Sequence, residues 1–479
     1  MAPLYWKARS PASDGIVRAS MTSLSDATAG AATTFGGHPR GLRTLFFTEM
    51  WERFSYYGMR AILILYLTAA VAGGGLGFDN EHAGAVYGWY TSLVYLAALP
   101  GGFIADRYLG QRRSVLIGGI VIALGHFSLA IPSLSFFYLG LGLIVAGTGF
   151  LKPNVSTMVG TLYAENDPRR DGGFSIFYMG INLGAFISPL VVGYFAQGAG
   201  FLDWLRAHGI DPRHAWHVAF SIAGLGMLVG VIQFALGKGN FGPAVEGPRG
   251  QTAAQQEQRN EPLSREDWSR LAAIAVLFVF SALFWSAFEQ AGSSLNLFAD
   301  RLTDNHVFGL AFPSSWFQSL QPLFIIGLAP LFAWLWLALS RRGREPSSPA
   351  KFAWGLFWVG AGFVVVAWGA VVARQHGLAS PWFLFFVYLF HTFGELCLSP
   401  VGLSTVTKLA PARLASLMMG VWFFSLSVGN KAGGFIAGHF DPNGSLPQLF
   451  LLVAAFTIGA AAVLVLLLKP IRKLMAGAH

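Results

Sequence analysis

Twelve times along its 479 residues this chain runs apolar for about the length a helix needs to cross a bilayer, roughly 20 residues. The runs fall at about 44–71, 84–105, 113–131, 134–155, 173–197, 214–236, 270–298, 314–340, 350–373, 382–408, 414–438 and 446–468. Inside a bilayer each backbone N–H and C=O must be bonded within the segment, so runs of this kind become helices. Composition agrees: 54% of residues are hydrophobic, and 11% are charged where a soluble domain carries about 25%. The expectation is an all-α membrane protein of twelve transmembrane helices. The longest polar gap, 237–269, divides them into two six-helix bundles. The expected organisation is a disordered tail over 1–40, an N-terminal bundle over 41–236, a linker over 237–269, a C-terminal bundle over 270–470 and a tail over 471–479. Residues 1–40 hold no apolar run of signal-peptide length, and Met1 and Met21 are both possible starts.

Orientation follows from the loop cations. Of the 32 Lys and Arg, 24 fall on the side of the tails and the 237–269 gap, four on the other (Arg206, Arg213, Arg301, Arg374), and four within spans (Arg53, Arg60, Lys152, Lys431). Basic loops stay in the cytoplasm, so both termini are expected there, with the chain multi-pass in the cytoplasmic (inner) membrane. The same distribution accounts for the net charge of +9 without nucleic acid. The single cysteine, Cys397, excludes an intrachain disulfide and a cysteine-based metal cluster. No G-x-x-x-x-G-K-[ST] or H-E-x-x-H occurs, so neither a built-in ATPase nor a catalytic metal is expected. Two halves of six spans suit rocking about a midplane site.

Charges inside spans cost about 2.5–3.5 kcal/mol each on insertion scales, so they mark function by default. The first span is dense in them. At 100° per residue Glu49, Glu52, Arg53, Tyr56, Tyr57 and Arg60 fall within about 140° of one helical face. Such a stripe has to line a cavity or pair with other helices; a purely structural ion-pair stripe is the competing reading. Lys152 ends the fourth span, Glu289 lies in the seventh and Glu395 in the tenth, so cations and acids can pair across the halves. A pair about 4 Å apart is worth about 4 kcal/mol at an effective dielectric of 20. Protonating its acid removes most of that, a physical route to proton coupling.

These residues carry a resemblance. Glu49-x-x-Glu52-Arg53-Phe54-x-Tyr56-Tyr57-Gly58 resembles the ExxERFxYYG signature of the proton-dependent oligopeptide transporter (POT or PTR2) family, within the major facilitator superfamily. The stretch from Phe174 to Ala185 with Pro189, Lys152-Pro153-Asn154, Trp285 with Glu289, and Glu395-x-x-x-Ser399-Pro400-Val401-Gly402 resemble further segments of that family, and the Gly101 to Arg107 loop with Gly110, Arg112 and Arg113 resembles the superfamily's loop between spans two and three. The resemblance covers about 41 to 470 and implies the major facilitator fold. It also implies a proton-coupled symporter importing di- and tripeptides by alternating access, with no cofactor beyond the proton gradient, working as a monomer. Glu49, Glu52, Arg53, Glu289 and Arg60 would take part in proton coupling. Arg53 and Lys152 would face the peptide carboxylate, Arg60 would also belong to the peptide-binding set, and Glu395 with Asn182 would receive the peptide amino terminus. Tyr57 and Tyr95 would hydrogen-bond the peptide, Gln321 would stand where relatives often have asparagine, and Trp285 and Trp422 would line side-chain pockets. Arg60–Glu289 and Lys152–Glu395 would be gating salt bridges. The 237–269 linker is too polar for the two extra helices of many bacterial members, and the second span lacks the histidine used by animal members. Transport of another anionic or zwitterionic solute such as nitrate, a non-transporting sensor and a membrane enzyme stay open as alternatives.

Overall fold

The computed structural model describes residues 36–164, 167–242, 245–247, 262–411 and 414–475. The expectations for residues 1–35, most of the central linker and 476–479 lie outside them. Among the described residues twelve long helices follow the apolar runs: α1 Arg40–Thr68, α2 Asn80–Leu96, α3 Gln111–Leu129, α4 Leu134–Thr161, α5 Arg170–Gln197, α6 Ala215–Leu236, α7 Arg265–Phe288, α8 Leu320–Arg341, α9 Ser348–His376, α10 Trp382–Leu409, α11 Ala415–Gly438 and α12 Leu446–Leu466. The boundaries shift where local chemistry outweighs hydropathy. α7 begins at Arg265, inside the polar gap, because Ser264 and Asp267 form a reciprocal capping box. It ends at Phe288 in a 3-10 turn, Glu289–Gly292, and a short helix, Ser294–Arg301, follows. α2 continues as Ala98–Ile104 and a wide π turn, Ala105–Leu109, before Gly110 at φ 78° reverses the chain.

Nine of the helices, extended by their flanking turns, are long and apolar enough to cross a membrane by length and hydropathy alone. The three that fall short are α1, α2 and α11, all on the seam between the bundles. α1 carries its buried charges, α2 breaks after 17 residues, and α11 spends positions on Ser425, Ser427, Asn430 and Lys431. α1 packs on α5 and α6, and α3 on α4 and α6; α9 packs on α10 and α12, and α7 on α11. With an even number of spans Arg40, where α1 begins, and Leu466, where α12 ends, share one end of the molecule, here the near end. Cross-bundle contacts run between α2 and α11, and between α5 and the 3-10 turn Ser314–Ser319 that leads into α8.

That seam tightens toward the far end. A Cβ on Gly84 would sit 2.5 Å from the Gly434 carbonyl oxygen, and one on Gly434 would sit 2.4 Å from the Gly88 Cα. Small residues four apart on both helices let the backbones touch. Around them Ser92 Oγ lies 2.8 Å from Ser427 Oγ, Asn430 Nδ2 donates to the Thr91 carbonyl at 3.2 Å, and Asn80 Nδ2 to that of Phe440 at 2.6 Å. On the other side of the seam Gln197 Nε2 donates to Asp300 Oδ1 at 2.9 Å, and Ser319 Oγ to the Phe186 carbonyl at 2.8 Å.

Candidate functional site

α1 reaches the middle of the molecule because α5 presents glycine to it. A Cβ on Gly184 would meet the Met50 carbonyl oxygen at 2.2 Å, and one on Gly180 that of Phe46 at 2.9 Å. This close approach buries the charged stripe: Glu49, Glu52, Arg53 and Arg60 are 3%, 1%, 4% and 7% exposed. Buried ions need partners, and each has one. Arg53 Nε lies 3.1 Å from Glu49 Oε1 and also pairs with Glu52 Oε2, a cluster held within one helix. Arg60 Nη1 lies 2.9 Å from Glu289 Oε2 on the opposite bundle. Asn296 Nδ2 donates to the Ala61 carbonyl at 2.7 Å, and Gln318 Nε2 to the same oxygen at 3.3 Å, so the second bundle also grips the backbone beside Arg60. The α7 break at Glu289–Gly292 brings that acid to the seam. Its last residue, Gly292, leaves space that the Tyr87 hydroxyl and Arg60 Nε take up.

The remaining charges face a more open space. Lys152, one residue before Pro153 in α4, holds its Nζ 3.7 Å from the centre of the Tyr95 ring. Glu395 of α10 accepts a hydrogen bond from Gln321 Nε2 at the start of α8. Tyr57, Lys152, Gln321 and Glu395 are all partly exposed, unlike the Arg60–Glu289 pair. Tyr57 lies within Coulombic reach of Arg53, Arg60, Glu289 and Glu395, and Lys152 within reach of Glu49, Glu52, Arg53 and Glu289. The ionised groups of the two bundles are therefore close enough to act on one another. Lys152 and Glu395 form no ion pair here; a tyrosine face and an amide hold them instead.

The uncharged residues of the expected site divide. Tyr57 stacks under Arg60, whose Cζ lies 5.2 Å above its ring, and Tyr95 carries Lys152. Asn182 turns its amide onto its own helix, donating to the Tyr178 carbonyl at 3.0 Å. Trp285 is wedged between Phe284 and Phe288, with centroids 5.3 and 5.2 Å away. Trp422 lies against Phe352 and occupies the space a side chain on Gly402 would need. Sequence reasoning passed over Gln318, Tyr388, Asn296 and the Gln197–Asp300–Ser314 cluster. Tyr388 stands two turns before Glu395 on α10, a spacing legible as one helical face. Asn296 and Asp300 follow the α7 break, which hydropathy does not mark.

The POT family model (PTR2) matches residues 112–247 and 245–448. The peptide transporter YePEPT of Yersinia enterocolitica is 42% identical over 92% of this chain and 96% of its own length. A di-/tripeptide transporter of Lactococcus lactis subsp. cremoris is 34% identical over 92% of this chain and 97% of its own. A crystal structure of peptide transporter POT in complex with sulfate superposes with a TM-score of 0.84 at 38% identity, over 93% of this chain and 97% of that one. One of a POT family transporter in complex with 5-aminolevulinic acid gives 0.80 at 30%, over 91% and 98%. With the ExxERFxYYG stretch buried on α1 and the fold shared along nearly its whole length, this chain belongs to the POT family of membrane transporters, with the major facilitator fold.

Proposed function

We propose that this chain is a proton-coupled symporter that imports di- and tripeptides by alternating access of the chamber between its bundles. The observation that carries the reading is the buried Arg60–Glu289 pair, which ties the bundles together beside that chamber. Protonating Glu289 cancels one partner of a contact on which closure of the far end depends. An external proton then loosens that end, and loss of the proton on the other side restores it. Glu49 and Glu52, held by Arg53, serve as a second proton-accepting group next to Lys152. Lys152 and Arg53 attract the peptide carboxylate, and Glu395 with Asn182 its ammonium group. Tyr57, Tyr95 and Gln321 supply hydrogen bonds, and Trp285 and Trp422 give side chains an apolar wall. Fixing both charged ends while leaving the walls aromatic makes length the selected property and side chain the tolerated one. The near end faces the cytoplasm, both termini with it, in the inner membrane, and one copy suffices. A transmembrane potential then drives each net positive charge inward with about 2.3 kcal/mol per 100 mV.

A second reading, transport of another small zwitterion, is favoured by the solved POT family relative in complex with 5-aminolevulinic acid, which also joins an amine to a carboxyl group. Uptake into proteoliposomes under an imposed proton gradient separates the readings. Labelled dialanine should accumulate, and an analogue blocked at its termini should not. Equal accumulation of both would reject the two-ended clamp. Full gradient-driven uptake by Glu289→Gln would remove that residue from the coupling path.

A further inference from the structure

Of the cations within spans, Arg53 and Arg60 pair with acids and Lys152 faces the open space between the bundles; Lys431 of α11 remains. It stands two turns before that helix ends at Gly438, about 10 Å below the far end at 1.5 Å per residue. Its Nζ lies 4.1 Å from the centre of the ring of Trp89, itself more than two turns into α2. The contact crosses the seam at its tightest point, where a Cβ on Gly88 would lie 3.2 Å from the Lys431 carbonyl oxygen. Among the described residues no acid or carbonyl accepts from this ammonium group, and none accepts from the Trp89 indole N–H. Both side chains look outward. Trp89 is 54% exposed and Lys431 partly so, and Phe435, one turn nearer the far end on the face of Lys431, is 68% exposed.

We propose that Lys431 and Trp89 bind the phosphate of an anionic glycerophospholipid in the leaflet at the far end, and that the bound lipid holds the seam shut. An ammonium group has three donors, and an aromatic face attends to the charge on one side only. Hydrocarbon offers the rest no acceptor, whereas a phosphodiester brings both oxygens and negative charge. A leaflet thins around a charge inside it, which lowers the headgroup to this depth. The indole N–H gives a phosphate or ester oxygen its second donor, and Phe435 gives the glycerol and upper acyl chains an apolar surface that free phosphate cannot use. One donor stands on each bundle, so the site is whole only while α2 and α11 touch. A ligand that binds one arrangement better than another shifts the population toward it. The site goes beyond the peptide-transport reading and holds for any cargo.

The test places the full chain in phosphatidylcholine nanodiscs with and without phosphatidylglycerol. With phosphatidylglycerol the melting temperature should rise, and a cysteine in the far-end loops should react several-fold more slowly with a membrane-impermeant thiol reagent. Native mass spectrometry should show phosphatidylglycerol retained over phosphatidylcholine. Lys431→Met should cut that retention roughly tenfold and abolish the other two responses. Lys431→Arg should restore all three, and Trp89→Phe, which keeps a ring without the N–H, should fall between. Equal retention by Lys431→Met overturns the proposal. So does a fall in melting temperature of the same size in both lipids, which would make Lys431 a structural partner of Trp89. Inorganic phosphate that reproduces the response in neutral lipid overturns the lipid as ligand, and unchanged thiol reactivity overturns the link to closure. Should Lys431→Met fail to fold, Trp89→Phe carries the same comparison.

Discussion

At the far end the two bundles interlock. Glycine faces glycine between α2 and α11, side-chain amides and hydroxyls cross to backbone carbonyls, and the one cross-bundle ion pair among the described residues closes the floor beneath them. At the near end no ion pair among the described residues joins the two bundles: Arg112 pairs with Glu246 of the linker, Arg169 with Asp167, Arg270 with Glu266 and Lys351 with Glu345. Leu99 packing over Gly420 is an apolar contact across the seam on that side. The far end is shut by contacts that need close approach, and each vanishes over a small separation. Toward the near end Lys152 rests on the Tyr95 ring and Glu395 accepts from Gln321. Close packing joins the bundles at one end, and at the other Lys152 and Glu395 stand unpaired with each other.

The strongest way to break this contrast is to remove one member of the far-end pair. Glu289→Leu leaves Arg60 buried without its counter-ion, which costs about 3–5 kcal/mol. The variant should melt markedly lower in detergent and lose gradient-driven uptake. The double change Arg60→Met with Glu289→Leu should recover most of the stability but not the uptake. A double variant that still concentrates peptide would remove the pair from the coupling cycle.

Next comes the glycine seam. Gly434→Val has no room between the backbones, and overpacking of this kind costs about 1–3 kcal/mol, or roughly 5- to 150-fold in the closure equilibrium. Cysteines placed among the loops of the far end should become more reactive to a membrane-impermeant thiol reagent, and steady-state uptake should fall. Unchanged reactivity would mean the seam does not set which end is open.

Lys152→Met tests the near end. It removes a cation from a tyrosine face, an interaction worth about 0.5–2 kcal/mol, so stability should move little while dialanine binds several-fold more weakly. A large stability loss with unchanged affinity would make Lys152 a structural group. The smallest effect belongs to the exposed loop between α4 and α5. Hydrogen bonds from Arg169 hold the Asp167 carboxyl at about 2, below its ordinary 3.8. Its folded value is depressed, so its contribution is present above about pH 4 and fades as the pH falls toward 2. Asp167→Asn should leave melting at pH 7 nearly unchanged and flatten its decline below pH 4. A large drop at pH 7 would give this loop a share in closing the near end.

Legibility followed the nature of each signal. The α1 stripe could be read because its residues are close in sequence and a helix fixes their common face. The α7 boundaries could not, since a capping box starts that helix inside a polar stretch and a 3-10 turn ends it inside an apolar one. The four-residue spacing of Gly84 and Gly88, and of Gly434 and Gly438, is visible in the sequence, but not that the two stripes face each other. Residue types and resemblance put Lys152 opposite Glu395. Their present partners depend on how far apart the bundles stand.

The sequence by itself determined that the chain is a twelve-helix membrane protein of this family, with ionised groups on one face of α1. Hydropathy, loop charge and local spacing act over short stretches, and the bilayer enforces them. Tertiary structure alone decided which charges meet, which end is interlocked, and that an amide, rather than Lys152, holds Glu395. Those outcomes rest on contacts between residues up to hundreds of positions apart, each sensitive to displacements of an ångström or two in the relative placement of two rigid bundles.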